Sequence, residues 1–252
     1  MNACTVSFRE QRSWNAWPAP RTAVVGDWLL RSCGGYTKRA NSANALRASA
    51  ALDTDVLAGI ENFYRYQQQK SIFRISPLAD TQADALLQAH GYGLIEVSDV
   101  MARATLPSDA ALTLPAGMQI QVQAQCTGAW FQGCCDASGL SSESRVGHRN
   151  ILQAIAMPTG FATMYWQDQA VAWGMAVLER QAMGLYDVVV LPKLRGLGAG
   201  RALLQGLLRW AAEQGALSVD LQVRGDNLPA LTLYKSLGFL KQYSYHYRVK
   251  EL

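Results

Sequence analysis

The chain has 252 residues, half of them apolar, and a net charge of +4 at neutral pH, so it has room for one large or two ordinary domains. No apolar run is long enough to cross a membrane, the N-terminal residues carry charges and tryptophans instead of a secretion signal, and the dispersed basic residues do not favour nucleic acid. Five cysteines without C-x-x-C spacing and three scattered histidines predict a cytoplasmic protein with reduced thiols and no metal site.

The first 105 residues contain short apolar runs, turn formers and two helical patterns. They predict a strand at 27–31, a turn at Gly34-Gly35, a helix at 53–68, a strand at 72–75, a helix at 81–90 and a strand at 95–104. The stretch 106–117 is rich in turn formers and lacks helical periodicity, which predicts a linker between domains at 1–105 and 118–252.

Residues 118–252 have the length of one α/β domain. Their periodicities predict strands at 118–125, 161–166, 171–179, 185–191, 217–223 and 240–249, and helices at 128–138, 148–156, 198–214 and 227–237. Antiparallel strands followed by a strand–helix–strand crossover predict an α/β (α+β) fold, in which helices cover a mixed sheet.

A glycine-rich loop, Arg195-Gly196-Leu197-Gly198-Ala199-Gly200-Arg201, connects the strand at 185–191 to the helix at 198–214. Glycines let the backbone approach an anion, and the unpaired N–H groups of a first helical turn point at it. The Lys-Ser/Thr of a P-loop is missing, and the glycine spacing differs from G-x-G-x-x-G, although Asp220 lies at a suitable distance for a ribose-binding acid. The loop therefore predicts an anion-binding site that is neither a P-loop nor a dinucleotide-binding fingerprint.

A second motif follows one strand later, as Asn227-Leu228-Pro229-Ala230-Leu231-Thr232-Leu233-Tyr234 and then Gly238-Phe239. In this order the two segments resemble motifs A and B of the GCN5-related N-acetyltransferase (GNAT) superfamily. In the first half Gly91-Tyr92 corresponds to Gly238-Phe239, but no glycine loop precedes it. The chain thus resembles a bacterial tandem form, in which a degenerate GNAT-like half precedes a complete one.

The resemblance implies acetyl-CoA as cosubstrate and an amine, on a small molecule or a protein, as acceptor in a direct transfer. Backbone N–H groups of the glycine loop are expected to bind the pyrophosphate, and the preceding strand is expected to bind the pantetheine arm. The residues implied at the cofactor are Val188, Val189, Val190, Arg195, Gly196, Leu197, Gly198, Ala199, Gly200, Arg201, Asn227 and Tyr234. Asn227 is equally suited to capping a helix.

The resemblance also implies a catalytic acid and leaves the base open. Tyr234 is protonated at neutral pH and suits proton donation to the leaving thiolate, unless its ring simply packs in the core. Asp187 is the first candidate for the base, since its strand borders the acceptor cleft. The alternatives are Glu179 and, less favoured, Glu143, Tyr186 and His148, or a chain of water molecules.

Other side chains have two possible interpretations. The aromatic residues Trp130, Phe131, Trp166 and Trp173 can line an acceptor cleft or form core. The segment 39–42 can reach that cleft or form a structural turn. Cys134 and Cys135 lack a basic neighbour in sequence, which disfavours a nucleophilic role. The alternative function is a non-catalytic acyl-CoA sensor. We expect a monomer or a homodimer, for which the strand at 240–249 could provide a pairing edge.

Overall fold

The computed structural model describes residues 3–105 and 114–252, and most of the predicted linker lies outside these ranges. The strands are β1 Arg21–Val25, β2 Trp28–Ser32, β3 Ala43–Ala45, β4 Ser71–Ile75, β5 Gly93–Ala104, β6 Met118–Gln123, β7 Thr159–Trp166, β8 Gln169–Glu179, β9 Ala182–Val190, β10 Ser218–Arg224 and β11 Leu240–Lys250. The helices are α1 Ala3–Ala16, α2 Thr54–Tyr66, α3 Thr81–Ala89, α4 Gly128–Ala137, α5 Ser142–Ala154, α6 Ala199–Glu213 and α7 Leu228–Ser236. The predicted mixed α/β fold is confirmed.

All these strands form one sheet in the order β1-β2-β3-β4-β11-β5-β10-β9-β8-β7-β6. Neighbours pair antiparallel except β3–β4 and β9–β10, which are parallel and joined through α2 and α6. The order strand, helix, strand, helix, strand occurs twice, from β3 to β5 and from β9 to β11. Strands from both sides of the predicted linker therefore share one sheet, and the proposed domain boundaries remain a prediction.

The two final strands of these repeats are exchanged. Strand β5 pairs with β10 and β11, and β11 pairs with β4 and β5. The expectation that the strand at 240–249 is an edge open to another copy is therefore wrong. Strand β11 lies between β4 and β5, so the backbone groups along both of its edges are paired within the chain. The outer strands of the sheet are β1 and β6.

The sequence pattern does not predict helix α1, because the buried face of this helix is partly polar. Val6, Glu10 and Ser13 are buried at helical spacing, so a search for apolar letters finds little periodicity. The Glu10 carboxylate accepts hydrogen bonds from Arg74 of β4 at 2.7 and 2.9 Å and from the Tyr243 hydroxyl of β11 at 2.7 Å. A buried charge is tolerated when it is paired in this way, and the pairing holds α1 against the centre of the sheet.

The helices of the second half cover opposite faces of the sheet. Helices α6 and α7 pack with β7–β10 in one apolar core, whose members include Leu203, Leu207 and Phe239. Helices α4 and α5 pack on the other face, together with Trp17 from the segment after α1. The helix α5 begins at Ser142, six positions before the predicted start at 148, because Ser141 caps it by accepting from the Ser144 N–H.

The exchanged strand β11 is tied to α3 through Asp84, whose carboxylate accepts from Arg248 at 2.8 and 2.9 Å and contacts His246 Nε2 at 2.7 Å. The Arg248 hydrogen bonds, assisted by His246, lower the pKa of Asp84 from 3.8 to about 2. Because the folded pKa is the lower one, this stabilisation is complete above about pH 4 and is lost as the pH falls towards 2.

We expect Asp84→Asn to reduce the free energy of unfolding at pH 7 by about 1 kcal/mol, a modest amount because a third of the carboxylate side chain is exposed to screening solvent. Urea denaturation at pH 7 and pH 3 measures this, and the difference between variant and wild type should shrink at pH 3. The exposed carboxylate Asp55 provides the control substitution Asp55→Asn. If variant and wild type differed as much in free energy of unfolding at pH 3 as at pH 7, the proposed contribution of the Asp84 carboxylate would be contradicted.

Candidate active site

Strand β9 carries a bulge at Asp187. Trp173 of β8 pairs with Val189, and Met175 pairs with Tyr186, so Asp187 and Val188 lie opposite the single residue Gly174. Asp187 has φ of 52°, a left-handed conformation that aspartate tolerates better than most residues. The extra residue turns Asp187 towards α5, on the face where Tyr186 also packs.

Next to this bulge, β9 and β10 separate. Their parallel pairing runs from Ala182 and Ser218 to Leu185 and Leu221 and ends there. The residues 188–190 of β9 are consequently half-buried, and within the described part of the chain their backbone groups on this side have no strand partner. Backbone donors and acceptors without a strand partner can pair with an extended, amide-bearing ligand.

The glycine loop lies at the same end of β9. After the short turn Pro192–Leu194, Gly196 and Gly198 have φ of 76° and 88°, and Gly198 is the N-cap of α6. Gly198 is exposed, and the first N–H groups of a helix have no partner within it. The loop therefore presents the positive end of α6 to solvent beside the opening between β9 and β10.

The two loop arginines are exposed, and each donates one side-chain hydrogen bond within the described part of the chain. Arg195 donates from Nε to the Val190 carbonyl at 3.3 Å. Arg201 donates to the Ser236 hydroxyl of α7 at 2.6 Å. Both guanidinium groups retain donors for an anion in the loop.

Helix α7 carries Asn227 and Tyr234. Asn227 is its N-cap, since its side-chain oxygen accepts from the Ala230 N–H at 3.3 Å; this is the capping alternative of the sequence analysis. The Tyr234 ring packs edge-on against Phe239 with centroids 5.9 Å apart, while its hydroxyl has no hydrogen bond to any described residue. Burial raises the pKa of Tyr234 to about 12, so the hydroxyl stays protonated at physiological pH.

Asp187 is joined to His148 of α5. Its Oδ2 lies 2.8 Å from His148 Nε2, and Cys135 Sγ of α4 lies 3.6 Å from His148 Nδ1. A neutral imidazole that donates from Nε2 to the carboxylate accepts at Nδ1 from the thiol, so this arrangement satisfies all three groups. Burial raises the pKa of Cys135, which disfavours a thiolate, and the pair that remains available for proton transfer is Asp187 and His148.

A loop from the first half closes over this pair. The Tyr36 ring lies 5.6 Å from the His148 ring, and a Cβ on Gly147 of α5 would lie 2.4 Å from Tyr36 Cβ. Burial and then the nearby Asp187 carboxylate raise the pKa of the Tyr36 hydroxyl. The surroundings of Asp187 are therefore built by both halves of the chain.

Most of the other candidate residues are packed in the core or lie at the surface. Trp130, Phe131 and Trp173 are buried in the core around α4, and Trp166 packs on the opposite core. Glu179, at the end of β8, accepts from Asn15 at 2.9 Å, and the exposed Glu143 lies in the first turn of α5. Burial is also the main cause that raises the pKa of Cys134.

Two further observations concern metals and membranes. Among the described residues, no group of three histidine, cysteine or acidic side chains has the spacing of a metal site. Over the same ranges, none of the helices combines the length and the apolar character needed to cross a bilayer.

Sequence reasoning missed the ring contacts of His148 and the approach of the first-half loop. From the sequence His148 is only a weak candidate for the base, because nothing in the sequence links it to Asp187. The one usable signal was the segment 39–42, which does reach this region.

Comparison with known proteins agrees with this architecture. A family model described as "Probable histone acetyltransferase Rv0428c C-terminal" matches residues 6–248. YobR of Bacillus subtilis (strain 168), named an uncharacterized N-acetyltransferase, is 28% identical over 236 residues, which cover 93% of this chain and 94% of YobR.

Two solved structures share the fold. A GCN5-related N-acetyltransferase from Kribbella flavida superposes with a TM-score of 0.73 at 15% identity, over 98% of this chain and 95% of that one. A tandem GNAT protein from the clavulanic acid biosynthesis pathway superposes with a TM-score of 0.69 at 13% identity, over 96% of this chain and 86% of that one. The family model spans nearly the whole chain, and the chain therefore belongs to the Rv0428c C-terminal acetyltransferase family, within the GNAT superfamily of N-acetyltransferases.

Proposed function

We propose that the protein transfers an acetyl group from acetyl-CoA directly to an amine. The observation that carries this proposal is the parting of β9 and β10 after Leu185 and Leu221, beside the exposed N-terminus of α6. A long cosubstrate with an anionic end and an amide-bearing arm suits this combination. The pyrophosphate would bind at the loop 195–201, and the arm would pair with the backbone of 188–190.

The proposed transfer has one bond-making and one bond-breaking event. The amine nitrogen attacks the thioester carbonyl, the new C–N bond forms, and the C–S bond breaks. Asp187 takes the proton that the amine loses, and His148 holds the carboxylate in place through its Nε2–H. Tyr234 gives its hydroxyl proton to the departing thiolate and recovers one from solvent.

Titration calorimetry with acetyl-CoA, followed by thiol release in the presence of an amine panel, tests this function. We expect acetyl-CoA to bind and a subset of amines to release CoA thiol. Binding without turnover by any amine would favour the acyl-CoA sensor instead. Failure of acetyl-CoA to bind would contradict both.

Tyr234→Phe tests the proposed acid. We expect kcat to fall by about 100-fold with little change in the Kd of acetyl-CoA, because the substitution removes the transferable proton and retains the buried ring. The effect stays at the lower end for a catalytic acid, since a thiol has a pKa of about 8.5 and departs partly without protonation. The exposed Tyr66 provides the control Tyr66→Phe. An unchanged kcat in Tyr234→Phe would leave proton donation to water.

A further inference from the structure

A cavity of about 250 Å³ lies over β5, β10 and β11, on the α1 face of the sheet. It is lined by Thr37, Lys38 and Arg39 of the first-half loop and by residues of these three strands. This volume lies just below the usual range for ligand pockets and therefore suits only a compact molecule. Because Gln222, Val223 and Arg224 follow the last pair between β10 and β9, the cavity borders the opening between these two strands, and this position suits an acceptor.

The charges around this cavity are paired, with one exception. Lys38 bonds Glu96 at 2.8 Å, and Arg224 bonds Asp226 at 2.5 Å. The half-buried Arg39 has no carboxylate partner among the described residues. Its guanidinium lies 4.8 Å from the ring centre of Trp17 and 5.7 Å from that of Tyr186. Stacking on aromatic faces leaves the planar edge of a guanidinium free, and this edge matches a carboxylate.

Several contacts hold Arg39 in place before any ligand arrives. The buried Arg31 donates to the Arg39 carbonyl at 2.5 Å. Asn41 accepts from the N–H groups of Cys33 and Gly35 at 2.6 and 3.0 Å and donates to two loop carbonyls at 2.7 and 2.8 Å. Trp17, which supports the guanidinium, donates from Nε1 to the Thr37 hydroxyl at 2.9 Å. A donor fixed in this way loses little entropy when it binds an anion.

Arg39 and the proposed base lie near the same two tyrosines. Tyr186, on which the guanidinium stacks, directly precedes Asp187 in β9, and Tyr36, from the same loop, contacts the His148 ring. A small molecule with both an amine and a carboxylate can therefore direct the amine to Asp187 and the carboxylate to Arg39. We propose that the acceptor is a small amine that bears a carboxylate, and that Arg39 binds this carboxylate. This inference rests on the function proposed above.

The test uses matched probes, namely amino acids and the amines that remain after their decarboxylation, such as lysine with cadaverine and phenylalanine with phenethylamine. Thiol release gives kcat/KM, and calorimetry on the CoA-saturated protein gives binding independently of turnover. We expect kcat/KM for the preferred amino acid to exceed that of its decarboxylated partner by at least about tenfold, since a charge-assisted bidentate contact is lost.

In Arg39→Gln we expect KM for the amino acid to rise by about 100-fold, kcat to change little, and the decarboxylated amine to be affected by less than about twofold. Arg39→Lys should recover part of the preference, because it keeps the charge without the fork. Arg180, which stacks on Phe8 with 5.5 Å to the ring centre, supplies the matched control Arg180→Gln outside the cavity.

Three results would overturn the inference: equal kcat/KM within the probe pairs, equal losses for both probes in Arg39→Gln, or a weaker acetyl-CoA affinity in that variant. Turnover of amines without a carboxylate preference would sink this inference and leave the acetyltransferase function standing. If amino acids bind in a way that depends on Arg39 but are not acetylated, the role of Arg39 in binding the carboxylate would be supported and the proposed acetyl transfer would be contradicted.

Discussion

Gly198→Glu is expected to abolish acetyl-CoA binding, with a loss of at least about 100-fold in affinity. Gly198 is exposed at the N-cap of α6, so a glutamate there would place its carboxylate at the mouth of the proposed pyrophosphate site. The carboxylate would occupy the helix N-terminus itself and repel the phosphates. Calorimetric titration of acetyl-CoA and of CoA measures the loss.

The same helix provides a matched control for this substitution. Gly215 follows the other end of α6 with φ of 76°, compared with 88° at Gly198, and a Cβ at either position would have no neighbour within 4 Å. Both variants therefore bear a similar backbone strain of about 1–2 kcal/mol and the same added charge. Gly215→Glu should retain acetyl-CoA binding. Equal loss of binding in both variants, or none in Gly198→Glu, would contradict the anion site.

Asp187→Asn is expected to lower kcat by about 1,000-fold at pH 7, because the amide cannot accept the proton of the attacking amine. The shape of the side chain is conserved, and the amide oxygen can still accept from His148 Nε2, so the KM for acetyl-CoA should stay the same. Activity should recover in part as the pH rises, since more of the acceptor is then already the free base. Steady-state kinetics from pH 6 to 10 measure both effects.

Glu179 is the rival base, and Glu179→Gln is the comparison for Asp187→Asn. Its carboxylate bonds Asn15 at the end of β8, away from the bulge, so kcat should change by less than about twofold. A larger loss in Glu179→Gln than in Asp187→Asn would reverse the assignment. Similar small effects in both variants would point to a water chain as the proton acceptor.

Strict alternation along β9 was a poor guide to the surroundings of Asp187. It predicts that neighbouring side chains point to opposite faces, which holds for Asp187 and Val188. At the bulge, however, Tyr186 and Asp187 both face the α4–α5 side. One additional residue in β9 changes which face of the sheet the neighbouring side chains point to. No local sequence signal marks the position at which β8 has no matching residue.

The elements around the glycine loop follow from the local sequence. Residues close together in the chain determine the strand before the loop, the positive φ at Gly196 and Gly198, the start of α6 and the Asn227 cap of α7. Turn chemistry, helix capping and apolar periodicity act over a few residues, so these elements could be predicted.

Contacts between residues that are distant in the chain depend on the tertiary structure. His148 and Asp187 are 39 positions apart, and Arg39 reaches Tyr186 across the two halves. Strand β11 lies inside the sheet because it pairs with the edges of both β4 and β5. The residues of a strand do not by themselves specify which edge it joins. Such contacts depend on strand order and register across the whole sheet, which local propensities leave open.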